Sequence, residues 1–141
     1  MSLFSVFNIA GSALNAETIR LNTTASNLAN AESVNGDASK VYRARHPVFQ
    51  SLMNTADSNF DAQGAAMGVR VLGVVESKAP PAMRYQPDHP LANKDGYVYM
   101  SNVNTIEEMT NMISANRSFA TDVEAINTAR DLLLKTISMG H

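Results

Sequence analysis

Large apolar residues return every seventh position near the start of the chain: Phe7, Leu14, Leu21 and Leu28, with Asn8, Asn15 and Asn22 directly behind the first three. Sustained seven-residue spacing marks the apolar seam of a helix that packs against another helix. The pattern predicts a helix from an N-cap at Ser2 to about residue 33, with Asn35-Gly36 as its stop. The spacing comes back at the other end in Met112, Phe119, Ile126 and Leu133, and the interleaved Asn116, Val123, Arg130 and Ile137 complete a second seam, broken twice by polar residues. Thr105 and Glu108 have the spacing of a capping box at the start of this helix, and Gly140 closes it.

The helical period is lost between these segments. "KVYRARHPVF" alternates in short runs, and "GVRVLGVVES" is β-branched, with Val69, Val71 and Val75 on one face. "MRY" and "YVYM" read as further short strands, with an Asp95-Gly96 turn just before Tyr97. The polar, glycine-containing stretch over 54–68 reads as a mobile loop. The expected fold is α+β, in three zones. Residues 1–35 and 103–141 form long terminal helices paired as an antiparallel coiled coil, and 36–102 form a small β-rich insert.

Charge sharpens the reading of the first helix. Of 13 acidic and 11 basic side chains in the chain, residues 1–35 hold only Glu17, Arg20 and Glu32. A solvated amphipathic helix carries a charged outer face; this one carries Ser, Thr, Asn and Ala. Depletion of charge characterises the buried centre of a protein–protein interface. Asparagine and threonine can hydrogen-bond a neighbouring helix without the desolvation cost of an ion, and Gly11 and Ala25 permit close approach. An assembly interface is therefore expected at Phe7, Asn8, Gly11, Leu14, Asn15, Leu21, Asn22, Ala25, Asn27, Leu28 and Asn30, and a coiled-coil seam at Met109, Met112, Phe119, Val123, Ile126, Leu133 and Ile137.

Other chemistry finds little support. The net charge of -2 gives no reason to expect nucleic acid or an anionic membrane as partner. Arg43 and Arg45, alternating around one residue beside His46, read as one exposed strand face. There is no cysteine, so disulfides and thiol chemistry are excluded. No run approaches the roughly 18 apolar residues of a membrane span. The first basic residue is Arg20 and Asn8 interrupts the apolar run before it, so no cleaved signal is expected. His46, His89 and His141 lie far apart, with no partner at metal-ligand spacing, and Glu107-Glu108 suit a helix N-terminus. Met67, Met83, Met100, Met109, Met112 and Met139 read as packing residues rather than an adaptable binding surface. Neither a catalytic constellation nor a cofactor motif is legible.

"LNTTASNLANAES" resembles the N-terminal signature of bacterial flagellar axial proteins, the rod, hook and hook-associated family. "YRARHPVF", "GVRVLGVVES", "GYVYMSNVNTIEEM" and "SANRSFATDVEAINTA", in that order, narrow the resemblance to the proximal-rod members over nearly the whole chain. Ser101 departs from the pattern, since relatives commonly have proline there, and the departure is expected to loosen the approach to the last helix. The resemblance implies a non-enzymatic subunit of the basal-body rod in the periplasmic space. It would be exported unprocessed by the flagellar type III apparatus and assembled helically around the export channel as a shaft carrying torque from motor to hook. The implied partners are copies of itself, other proximal and distal rod subunits, the adaptor between rod and MS ring, and the export apparatus. Two other readings stand beside this one: a different rod subunit, or a soluble coiled-coil secretion adaptor.

Overall fold

The computed structural model describes residues 3–53 and 66–139. Helix α1 (Leu3–Ala29) leads to strands β1 (Val34–Asn35), β2 (Arg45–Met53), β3 (Ala66–Glu76), β4 (Ala82–Tyr85) and β5 (Tyr97–Met100), and helix α2 (Thr105–Met139) follows. The fold is α+β: a helix, a β module and a helix. Ser2, Gly140 and residues 54–65 of the expected loop lie outside the described residues, and 66–68 already belong to β3. No helix among the described residues is long and apolar enough to cross a membrane.

Helix α1 ends four residues earlier than the pattern predicts. Asn30 N–H is shared between the carbonyls of Ser26 and Asn27, both at 3.2 Å, which tightens the last turn. The Asn30 side-chain amide also donates to Ser26 O at 2.8 Å, and Ser33 Oγ donates to Asn30 O at 2.7 Å. These local bonds compete with helix continuation. Val34 and Asn35, just beyond, pair antiparallel with Met100 and Tyr99, so a tertiary pairing fixes the chain at the expected helix stop.

Two further boundaries differ from expectation. The N-cap of α2 is Asn104 rather than Thr105: Asn104 Oδ1 accepts from Ile106 N–H at 3.1 Å and from Glu107 N–H at 3.4 Å. The strand expected to begin near residue 40 begins only at Arg45. Ala44 N–H there donates to Asn102 Oδ1 at 2.7 Å, and Arg45 N–H to Asn27 Oδ1 at 2.9 Å, so distant side chains take donors that a ladder would need. Ser101 does not loosen the approach to α2. It is buried, its N–H donates to Ser33 O at 3.1 Å, and its hydroxyl accepts from Val103 N–H at 3.3 Å. A proline at that position would have no N–H to give.

The chain divides into two compact units: Met1–Ile19, Val48–Gly73 and Ser114–His141 form one, and Arg20–Pro47 with Val74–Ile113 form the other. In the first unit the buried apolar side chains among the described residues are alanines: Ala10, Ala16, Ala115 and Ala129. Ser12 Oγ, bonded to Ile9 O at 2.7 Å, accepts from Val69 N–H at 3.0 Å, so β3 is fastened to α1 beside Gly68. That glycine has φ +140° and leaves no room for a Cβ against Ser12. In the two-stranded sheet of β2 and β3, Val69 and Val71 are half-buried, whereas Val75, expected on the same face, is 52% exposed.

The second unit is built on the antiparallel sheet β1-β5-β4, whose central strand carries Val98 at 0% exposure. Ala82, Met83, Arg84 and Tyr85 pair in register with Met100, Tyr99, Val98 and Tyr97. The expected Asp95-Gly96 turn is present: Asn93 Oδ1 accepts from Asp95 N–H at 3.0 Å and Tyr97 N–H at 2.9 Å, and Gly96 takes φ +79°. Gly36 abuts the carbonyl of Leu91, and an added Cβ there would stand 2.5 Å from that oxygen. Since both sides of this contact are backbone, Gly36→Ala is expected to cost about 1–3 kcal/mol as overpacking. Thermal unfolding of the variant measures this, and an unchanged midpoint would show that the loop yields.

Candidate assembly surfaces

Seen by exposure, α1 has one open stripe. Asn8, Gly11, Asn15, Thr18, Asn22, Ala25 and Ala29, spaced alternately three and four residues apart, are all exposed. Not one carries a charge. Thr18 Oγ1 bonds back to Leu14 O at 2.7 Å within its own helix, and an added Cβ on Gly11 would meet nothing within 4 Å. The surface of the stripe is thus small side chains with three outward carboxamides at seven-residue intervals. Phe7, Leu14, Leu21 and Leu28, expected at the same interface, are half-buried alongside it.

Two asparagines named with them are engaged inside the chain instead. Asn27 is only 1% exposed. Its Nδ2 donates to Arg45 O at 2.8 Å, while its Oδ1 accepts from Arg45 N–H at 2.9 Å and from the Tyr42 hydroxyl at 2.9 Å. The Tyr42 hydroxyl also lies 3.2 Å from Ser26 Oγ. The amide thus closes both backbone polar groups of Arg45, as a neighbouring strand would. Asn30 is half-buried, with its amide on the Ser26 carbonyl that ends the helix. A sequence signal for Asn27 did exist: it stands five residues after Asn22, off the seven-residue register of Asn8, Asn15 and Asn22.

On α2 the row Glu108, Met112, Ala115, Phe119, Asp122, Ile126, Ala129 and Leu133 is buried or half-buried throughout, again with alternating steps of four and three. Four members of the expected seam lie on it. The companion row is a different one, however: Asn116, Val123, Arg130 and Ile137 are exposed, and so is Met109 at 53%. Alanines hold the covered positions because they allow close approach, and their small size hides them from a search for large apolar residues. In the first unit an apolar cleft of about 680 Å3 is lined by Val6 of α1 and by Ala120, Ala125, Ala129 and Leu132 of α2. Among the described residues no group of three or more His, Asp or Glu side chains is placed to hold a metal ion.

A helix with a long uncharged outer stripe, joined through a β module to a second long helix, can be compared with known proteins over its whole length. A family model described as flagella basal body rod protein matches residues 7–36, and one described as flagellar basal body rod FlgEFG protein C-terminal matches 94–139. The flagellar basal-body rod protein FlgC of Escherichia coli O6:H1 is 47% identical over 141 residues, covering all of both chains. The chain belongs to the FlgC family of flagellar basal-body rod proteins. FlgC of Salmonella typhimurium is 46% identical and that of Yersinia enterocolitica 45%, each again over the full length of both chains. The uncharged stripe of α1 lies inside the first matched segment, and the covered row of α2 inside the second. Membership of a structural rod family implies assembly with other rod components rather than catalysis.

Proposed function

We propose that this rod subunit assembles through the uncharged stripe of α1, packed against helices of neighbouring copies and of other rod subunits. The exposed Asn8–Ala29 stripe carries the proposal, because a 27-residue helix that faced water would be expected to show charge on that side. The buried alanines and the cleft shared by Val6 with Ala120, Ala125 and Ala129 support antiparallel pairing of the two terminal helices within each subunit. Such paired helices would surround the export channel of the proximal rod, with the β module outside them. The rod would lie in the periplasmic space and carry torque from motor to hook; stiffness, rather than chemistry, is the property required. Export unfolded through the flagellar type III apparatus, with helices completed on assembly, fits a first helix whose exposed stripe carries no charge.

Deletion of the gene, followed by electron microscopy of basal bodies beside a complemented strain, tests this reading. Membrane rings without a completed rod or hook are the expected result. Intact rods and filaments in the deletion strain would sink it and bring the secretion-adaptor reading forward.

A further inference from the structure

Of the asparagines in the chain, only Asn35 is followed by glycine, and the Asn35-Gly36 pair stands where β1 ends. An asparagine side chain is open to attack by the backbone nitrogen of the residue after it. Glycine in that place, having no Cβ, leaves the nitrogen uncovered and the backbone free to turn. The reaction balances with water alone. Gly36 N gives its proton to solvent base and bonds to Asn35 Cγ; the Cγ–Nδ2 bond breaks, and the amide nitrogen takes up a proton and leaves as ammonia. The product is a five-membered succinimide, which water then opens. Cleavage between Gly36 N and Cγ gives aspartate. Cleavage between Gly36 N and the backbone carbonyl carbon gives isoaspartate, whose main chain runs through Cγ and is one atom longer.

The fold holds the pair away from this geometry. Asn35 pairs antiparallel with Tyr99, which keeps its backbone extended, whereas ring closure requires it to rotate toward its own side chain. Its Oδ1 accepts from Asp37 N–H at 3.0 Å, which fixes the side-chain carbonyl. Gly36 abuts the backbone carbonyl of Leu91, and that contact limits its movement. Water is not what is withheld: Asn35 is only half-buried and lines a polar cleft of about 500 Å3 with Ser33, Tyr42 and Arg43. We infer that Asn35-Gly36 is a deamidation site of the unfolded chain that folding closes. A chain held unfolded ages at this position and a folded one is spared. The sheet registers the damage, because the extra main-chain atom of isoaspartate disturbs the pairing of β1 with Met100 and Tyr99 and the nearby bond from Ser101 N–H to Ser33 O.

Peptide mapping by mass spectrometry tests this on the purified full chain, incubated at mildly alkaline pH either folded or unfolded in guanidinium chloride. In denaturant the peptide containing Asn35 should gain the mass of amide-to-acid conversion sooner than every other asparagine peptide, and as two separable products. In the folded chain the same conversion should be roughly tenfold slower or more, since it must await local opening of β1. Asn35→Gln should remove the early reaction, and Gly36→Ala should slow it several-fold in denaturant, where packing plays no part. Chains aged in denaturant, refolded and fractionated should melt at a lower temperature when they carry isoaspartate. Equal rates in the folded and unfolded chain would overturn the protection, and another asparagine converting first in denaturant would overturn the site. Unchanged melting of the isoaspartate form would overturn its effect on β1.

Discussion

Asn27→Ala is expected to lower the stability of the chain by about 3 kcal/mol and its thermal midpoint by roughly 10 °C, a large loss for the deletion of one polar side chain. Asn27 is 1% exposed, and its amide satisfies the N–H and the carbonyl of Arg45 together with the Tyr42 hydroxyl. Alanine would leave both backbone groups without their partner in a place where water has little access, and each such group costs about 1–3 kcal/mol. Asn27→Asp keeps the acceptor but sets a carboxylate oxygen against the Arg45 carbonyl, so it should be nearly as damaging. Tyr42→Phe removes only the hydroxyl and should cost about 1 kcal/mol. Thermal unfolding of the three purified variants gives the order. An Asn27→Ala loss below that of Tyr42→Phe would mean that the amide is replaceable and the strand start at Arg45 is held by other contacts.

Gly11→Leu should act in the opposite sense on stability and on function. Gly11 lies mid-helix, where glycine is about 0.8–1 kcal/mol less favourable than alanine, and nothing stands within 4 Å of a Cβ added there. The isolated chain is therefore expected to keep or raise its thermal midpoint. In the rod, the same side chain would project from the uncharged stripe into a neighbouring helix packed at small-residue distance, and swimming should be lost with basal bodies arrested before hook completion. Ala25→Leu, on the same stripe, should behave alike. Loss of stability in step with loss of swimming would place these residues inside the subunit. Normal swimming with raised stability would show that the stripe faces solvent in the assembled rod.

Much of the fold was legible in the residue pattern, because it rests on local signals. The two seven-residue repeats placed both long helices, β-branched "GVRVLGVVES" placed β3, and Asp95-Gly96 placed the turn before β5. The shared register of Asn8, Asn15 and Asn22 was legible for the same reason: side chains on the same register of a helix share a face. Two of the readings that changed depend on residues far away in sequence. The strand expected from residue 40 begins at Arg45 because Asn27 and Asn102 take the Arg45 and Ala44 N–H groups. Ser101 tightens rather than loosens its segment because Ser33 stands opposite its N–H.

The sequence by itself determined the order of elements, the two helical periods, the lack of charge on α1 and the family. Each of these is written in residue types and their spacing, which no partner is needed to interpret. Tertiary structure alone decided which asparagine is an internal clamp and which faces outward, which row completes the covered face of α2, and which of two alternating arginines remains unpaired. Those outcomes depend on what a side chain meets after the chain has turned back on itself. Asparagine bonds equally well to its own backbone or to a neighbour's, alanine is equally at ease buried or exposed, and arginine needs only the nearest carboxylate. Glu76 lies within reach of Arg45, and no described carboxylate pairs with Arg43.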